Sequence, residues 1–432
     1  MKTLVTRSPV EASVRIPGSK SISHRALIAA ALARGNSRLR NLLFCEDTGH
    51  TRAVLEGLGA GITDQRGDLS VSGTGGKVTL PGEGKTFFLG NSGTSMRLLL
   101  SLVSLGRGKV ILDGSPRMRQ RPIGALVKGL RTQGAGISFL RDEGYPPFLV
   151  EAGGLTGGPV NIGGEESSQY LSSLLLSAPY AQEDMEIRVN GRLSSRPYVD
   201  MTLQVMAAFG AQVSRQGYEY FRVKSGAHYQ GRTFTVEGDV SAASYFWAAA
   251  AVTGGSVATD SMEPFTTRQG DAVFLDILEQ MGCRIRREPG KITVEGRALA
   301  GIEADMGAMP DMVPTLAAVG LFAQGKTVIR NAAHLRLKES DRLAAVSREW
   351  GRLGAAVEEL DDGLIIEGGH PLRGAVLDTH DDHRIAMSLA VVGLRVPGVV
   401  ITHEECVKKS FPTFWRLWEG LGSRYRLPED AP

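Results

Sequence analysis

Cysteine is scarce: the 432 residues hold three, Cys45, Cys283 and Cys406. An odd number spaced so widely builds neither a disulfide framework nor a metal-binding cluster, and it fits a reducing compartment. Charge of one sign is lacking as well. Lys plus Arg number 49 against 46 Asp plus Glu, a net of +3, and no basic run marks a nucleic-acid binder. Long apolar runs are missing: the longest, Ala26–Ala33 and Tyr245–Val252, hold eight residues each, where a membrane-spanning helix needs about 20. The opening MKTLVTRSPVEASV has no apolar stretch of the roughly 7–15 residues found in a signal peptide. A soluble, cytoplasmic protein is expected, with no membrane or nucleic-acid partner. Several catalytic motifs are also absent. There is no GxSxG, HExxH or CxxC, and GEGKT at Gly82–Thr86 fails as a phosphate loop because Thr79 stands where its first glycine belongs. His380 and His383 are the one histidine pair with ligand spacing; they read as loop and site chemistry, and no metal or cofactor is expected.

Glycine, by contrast, is abundant. The chain has 54, about one residue in eight against a usual ~7%. Many mark a repeat. A helix-to-strand signature recurs as GLGAGI, TQGAGI, AFGAQV, QMGCRI, RLGAAV and GLGSRY, the last ending at Tyr425. Its glycines are Gly59, Gly134, Gly210, Gly282, Gly354 and Gly422, at intervals of 68 to 76 residues. Each follows an apolar stretch with helical spacing, so each is predicted to cap a helix in the left-handed conformation. In step with it run short β-type segments ending in glycine: LSVSG, FLVEAGG, FRVKSG, ITVEG and LIIEGG. A second helix of each unit is small and apolar nearly all round, as in SKSISHRALIAAALA or DVSAASYFWAAAAV, and is predicted to be buried. The β-type segment occurs only five times, and the N-terminal KTLVTR is the natural donor of the sixth. The expected fold is α/β with two lobes of three units, residues 19–235 and residues 236–432 plus 1–18. The site is expected in the cleft between lobes.

The first turns of the buried helices carry an unusual load. The first has Lys20, Ser21, Ser23 and Arg25, the second Asn91, Ser92, Thr94 and Arg97, and the third Ser167, Ser168 and Gln169. The fifth has Asp311, and the sixth has Asp382, His383 and Arg384. Cations oppose the positive end of a helix dipole unless an anion neutralises both, so these termini point to an anion site. Arg117, Arg119, Arg121, Lys338, Arg342, Lys408 and Lys409 lie nearby in sequence terms. Gathered from both lobes, such cations suit a small ligand bearing phosphate and carboxylate.

At Pro17–Ala33 the sequence resembles the enolpyruvyl transferases. The resemblance continues through LGNSGTSMR, PRMRQRPIG, ESSQYLSSLLLSAP, SSRPYVDMTL, EGDVSAASYF, PDMVPTLA, LKESDRL, DDHRIAM and KKSFPTFW. It spans nearly the whole chain in order. It implies lobes of three βαβαββ-type units with buried parallel helices, and a monomer that needs no cofactor. It also implies transfer of the enolpyruvyl group of phosphoenolpyruvate to the 5-hydroxyl of shikimate 3-phosphate, in aromatic amino-acid biosynthesis. By the same resemblance Lys20, Ser21, Arg25, Ser167, Ser168, Gln169, Ser195, Asp311 and Lys338 hold shikimate 3-phosphate, and Tyr198 borders it. Lys20, Asn91, Arg121, Gln169, Arg342, Arg384 and Lys409 hold phosphoenolpyruvate, with Gly93 lining that site. Leu98 stands where the family often has proline, and His334 where some relatives have asparagine.

The chemistry asks for one acid and one base, because the methylene must be protonated and the attacking hydroxyl must lose its proton. Asp311, at a helix N-terminus, suits the base. Glu339, beside Lys338 and near Arg342, suits proton exchange with the methylene, with Lys20 and His383 assisting. A sister activity on UDP-N-acetylglucosamine typically uses a loop cysteine; Pro116 occupies that place here. A non-catalytic anion binder has no need of both Asp311 and Glu339.

Overall fold

The structure is a computed structural model that describes residues 1–421 apart from residues 8, 66 and 83. Gly422 and Tyr425 of the sixth signature lie outside the described residues. The chain forms two compact units, Lys20–Val236 and Met1–Ser19 plus Glu237–Pro432, each with its own hydrophobic core. Among the described residues the α-helices are, in chain order, α1 (Lys20–Leu32), α2 (Glu46–Gly57), α3 (Gly93–Ser104), α4 (Gly124–Thr132), α5 (Ser168–Ser177), α6 (Pro197–Ala208), α7 (Val240–Thr253), α8 (Phe274–Gln280), α9 (Val313–Gly320), α10 (Arg342–Arg352), α11 (His383–Gly393) and α12 (Phe414–Glu419). No helix among them is long and apolar enough to cross a membrane.

Odd-numbered helices are the inner ones, as their composition predicts. Every residue of α9 and α11 is buried. The residues of the other inner helices that keep some exposure are Lys20, Ser21, Thr94, Gln169 and Ser241. All five lie in the first two positions of a helix. The inner helices are therefore core along their length, and α1, α3, α5 and α7 are open only at their amino ends, where polar residues sit.

The even-numbered helices α2, α4, α6, α8 and α10 each end two residues before a signature glycine. Gly59, Gly134, Gly210, Gly282 and Gly354 have φ of 104°, 86°, 94°, 119° and 86°, the left-handed turn that glycine adopts without a Cβ penalty.

Five sheets have four strands in one common order. In one, Thr86–Phe88 runs parallel to Arg107–Asp113, which pairs antiparallel with Phe148–Gly153, which in turn pairs with Gly136–Phe139. That is a βαβαββ unit. Two edge strands are exchanged. Glu11–Arg15 leads into α1 yet pairs with Ser256–Met262, while Thr233–Thr235 leads into α7 yet pairs with Asn36–Arg40. In the sixth sheet Val376–Leu377 and Val400–Ile401 are joined by Lys2–Thr3, antiparallel to Val400–Ile401. Only these two residues of KTLVTR form a ladder.

Candidate active site

Within Lys20–Val236, two of the three inner helices have side-chain caps at their amino ends. Ser92 caps α3 by accepting from the Ser95 amide, and Ser167 caps α5 by accepting from the Gln169 amide. Lys20 Nζ lies 3.0 Å from Asp47 Oδ2, both largely buried. Arg97 donates to Gln169 Oε1 at 3.0 Å and to the Pro122 carbonyl at 3.2 Å, while Gln169 Nε2 donates to Thr94 Oγ1 at 2.9 Å. The ends of α3 and α5 thus clasp each other. Arg121, only 4% exposed, donates to the Asn91 carbonyl at 3.0 Å and to Asn91 Oδ1 at 3.3 Å. Its neighbour Arg119 instead pairs with Asp113 at 2.6 Å nearer the surface. Gly93 lies under both inward guanidiniums. A Cβ there would stand 2.5 Å from Arg121 Nη2 and 2.8 Å from Arg97 Nη1.

Arg25 sits in the second turn of α1 and is fully buried. Its guanidinium donates to the Ser21 carbonyl at 2.7 Å, the Tyr198 carbonyl at 3.1 Å and Thr202 Oγ1 at 2.8 Å. Burial pulls its pKa down to about 10, so it stays charged at neutral pH. Ser195 has φ of 51° and precedes α6, and Ser168 opens α5 and is buried. Lys20, Ser21, Asn91, Gly93, Arg121, Ser167, Ser168 and Gln169 therefore lie at the open amino ends of the inner helices or against them, with Arg25 tying Ser21 to Tyr198.

The other unit holds a cluster centred on Arg342, the first residue of α10, which is 1% exposed. Nη1 donates to Asp311 Oδ1 at 2.8 Å, Nη2 to Glu339 Oε2 at 2.8 Å and Nε to Asp382 Oδ2 at 2.8 Å. A single guanidinium fork binds three carboxylates. Asp311, in the turn Pro310–Met312 ahead of α9, also accepts from Arg384 Nη2 at 2.6 Å. Burial by itself raises the pKa of Asp311, but Arg384, Arg342 and Lys338 together hold the carboxyl well below the usual carboxylate range. Asp382 caps α11, accepting from the Arg384 amide at 2.9 Å. Its burial is likewise outweighed, here by Arg342 and His383, and its pKa is lowered. His383 is 1% exposed with Nδ1 3.7 Å from Asp382 Oδ1. Lys409 is buried at the end of the turn Glu404–Lys409, whereas Lys408 faces outward. His334 is half-buried, and burial plus the Lys338 charge push its ring down to about 4. It is a neutral ring at neutral pH.

One expectation is modified. The sequence argument left the first-turn cations to be neutralised by a bound anion, but Asp47 already counters Lys20 and Asp311 already counters Arg384, whereas among the described residues Arg25 bonds only neutral oxygens. A buried guanidinium without a counter-charge is costly in any state of the protein. Three contributors escaped sequence reasoning. Asp47 reads as the acidic residue favoured in any helix's first turn. Tyr245, whose hydroxyl lies 3.5 Å from Arg384 Nη1, reads as core. Asp271 is buried beside Ser241, which donates to its Oδ2; burial and the Asp311 charge push it up to about 7, and no local pattern announces it.

The sequence pattern of the EPSP synthase (3-phosphoshikimate 1-carboxyvinyltransferase) family matches residues 4–418. A 3-phosphoshikimate 1-carboxyvinyltransferase of Methanoculleus marisnigri is 48% identical over 415 residues, 96% of this chain and 97% of that protein. One from a Sulfurovum species is 45% identical over 417 residues, 96% and 97% of the two chains. The crystal structure of the EPSP synthase of Acinetobacter baumannii superposes with a TM-score of 0.80 at 29% identity, covering 96% of this chain and 97% of that one.

Proposed function

This chain belongs to the EPSP synthase (3-phosphoshikimate 1-carboxyvinyltransferase) family, and on that premise we propose how its two sets of residues divide the work of transferring the carboxyvinyl group of phosphoenolpyruvate to the 5-hydroxyl of shikimate 3-phosphate. The observation that carries the reading is the Arg342 cluster, which holds Asp311 and Glu339 on one guanidinium, two carboxylates with different surroundings. Such a pair suits one acid and one base.

Shikimate 3-phosphate is held by Lys20, Ser21, Arg25, Ser167, Ser168, Gln169, Ser195 and Lys338, bordered by Tyr198. Phosphoenolpyruvate is held by Lys20, Asn91, Arg121, Gln169, Arg342, Arg384 and Lys409 around Gly93. Glu339 delivers a proton to the methylene carbon, leaving C2 cationic. The 5-oxygen forms a bond to C2 as its proton passes to Asp311. With both Arg342 and Arg384 bound to it, Asp311 is a weak base. It gains basicity when the anions of phosphoenolpyruvate draw those guanidiniums away. Glu339, now a carboxylate, takes a proton back from the new methyl group of the tetrahedral adduct as the C2–O bond to phosphate breaks, and the proton held by Asp311 leaves with the phosphate. The surrounding cations stabilise its charge, and Lys20 and His383 assist proton transfer. The enzyme works in this reading as a cytoplasmic monomer without metal or cofactor.

Phosphate release from phosphoenolpyruvate is the direct test. Release that requires shikimate 3-phosphate and ignores UDP-N-acetylglucosamine is expected; the opposite preference overturns the reading. Arg25→Ala is expected to raise the Michaelis constant for shikimate 3-phosphate roughly 10–100-fold, the loss of a charged hydrogen bond. An unchanged constant takes Arg25 out of the site. Gly93→Ala forces Arg121 and Arg97 aside and is expected to weaken phosphoenolpyruvate binding by roughly 10–100-fold. Equal constants for wild type and variant would show that neither guanidinium needs its position.

A further inference from the structure

The segment Asp378–Asp382 leads into α11 and delivers Asp382, His383 and Arg384 to the Arg342 cluster. Its backbone is strained: His380 and Asp381 are consecutive residues with φ of 52° each, a conformation that non-glycine residues seldom adopt singly and rarely in pairs. Such a conformation persists only where its surroundings over-determine it.

The restraint comes from α10. Glu349 is 1% exposed, a buried carboxylate that neither the sequence motifs nor the proposed reaction uses. Its Oε2 accepts from the Asp378 amide at 2.9 Å and from Arg352 Nη1 at 3.3 Å; its Oε1 accepts from His380 Nε2 at 3.0 Å. The His380 amide closes the turn on Asp378 Oδ1 at 2.9 Å. Glu349 follows Arg342 by seven residues on the same helix, so the two share a face, about 10 Å apart along the axis. Arg342 grips Asp382 and Glu349 grips Asp378 and the left-handed His380, with the left-handed Asp381 between the two grips. We propose that Glu349 is a positioning residue for the reaction. By pinning this strained segment from a second point on α10, it sets the start of α11 and so the placement of Asp382 and Arg384 for phosphoenolpyruvate.

The inference rests on the assignment of Arg384 to phosphoenolpyruvate, and the experiment separates the two. Glu349→Gln, Glu349→Ala and His380→Ala are compared with Arg384→Ala by steady-state kinetics, active-site titration and hydrogen exchange of the peptide spanning 378–384. Glu349→Ala is expected to raise the Michaelis constant for phosphoenolpyruvate at least tenfold while leaving that for shikimate 3-phosphate within about twofold, and to speed exchange in 378–384. His380→Ala, which leaves the Asp378 amide bonded, and Glu349→Gln, which keeps one acceptor, should give smaller shifts in the same direction. If Glu349→Ala does not fold, these two variants decide the question. Fewer active sites with unchanged Michaelis constants, or exchange in 378–384 identical to wild type, overturns the proposal. If Arg384→Ala itself leaves phosphoenolpyruvate binding intact, the site assignment has failed instead, and the exchange measurement still judges whether Glu349 restrains the segment.

Discussion

Replacing Glu339 by glutamine is expected to lower kcat by roughly 10²–10⁴, the usual contribution of a proton-transfer group, while changing stability little. The side chain is 9% exposed and accepts from Arg342 Nη2 at 2.8 Å. Glutamine has the same shape, and its amide oxygen still accepts from Arg342, whose other bonds to Asp311 and Asp382 remain. What is lost is the ability to carry a proton. Deuterium exchange into the methylene group of phosphoenolpyruvate, followed in the presence of shikimate 3-phosphate, isolates that step: exchange should fall with kcat. Near-normal turnover and exchange would move the proton to Lys20 or Asp311.

Arg342→Ala is the companion prediction on stability. The guanidinium is the shared partner of Asp311, Glu339 and Asp382, and Asp382 is wholly buried. Removing it leaves Asp311 with Arg384 alone and strips Glu339 and Asp382 of their shared guanidinium, and breaking a buried pair in this way costs ~3–5 kcal/mol. The pH dependence follows from the direction of the shifts. Asp311 and Asp382 have folded-state pKa values below the ordinary range. In the wild type their stabilising contribution is complete above the unfolded carboxylate pKa of ~3.9. It is lost as pH falls through the lower, folded values. In the variant Asp311 keeps Arg384, but Asp382 loses the main charge that lowers it, and burial with repulsion from Glu339 raises it instead. The variant's deficit should therefore be greatest near neutral pH and shrink as acid protonates Asp382. Urea unfolding near neutral pH and under mildly acidic conditions checks this. A deficit independent of pH would mean that the loss is one of packing alone. Arg342→Lys, which keeps the charge and loses the fork, should fall between the two.

Much of the architecture was legible because it is local. An inner helix such as α9 is apolar around its whole circumference, and such a helix has only one stable place, the core. The C′ glycines could be placed because an αL turn after an apolar helix tolerates few other residues. The expected lobe bounds already put Glu11–Arg15 with residues 236–432 and Thr233–Thr235 with residues 19–235, but their partner strands Ser256–Met262 and Asn36–Arg40 were not legible. Both segments have ordinary strand character, and strand partners are chosen by non-local pairing. In the candidate site the cations were visible one by one, but their counter-charges were not. Asp47 looks like any helix-start acid, and Glu349 looks like any charge on an outer helix until burial shows that it faces inward.

By itself, then, the sequence determined the six-fold repetition, the buried character of the inner helices and the polar load at their amino ends, because periodicity and capping act between residues a few positions apart. Tertiary structure alone decided which charge meets which. Arg342 reaches Asp311 across 31 residues and Asp382 across 40, and only the packing of α9, α10 and α11 brings those three together, where carboxylates offset the desolvation of this guanidinium.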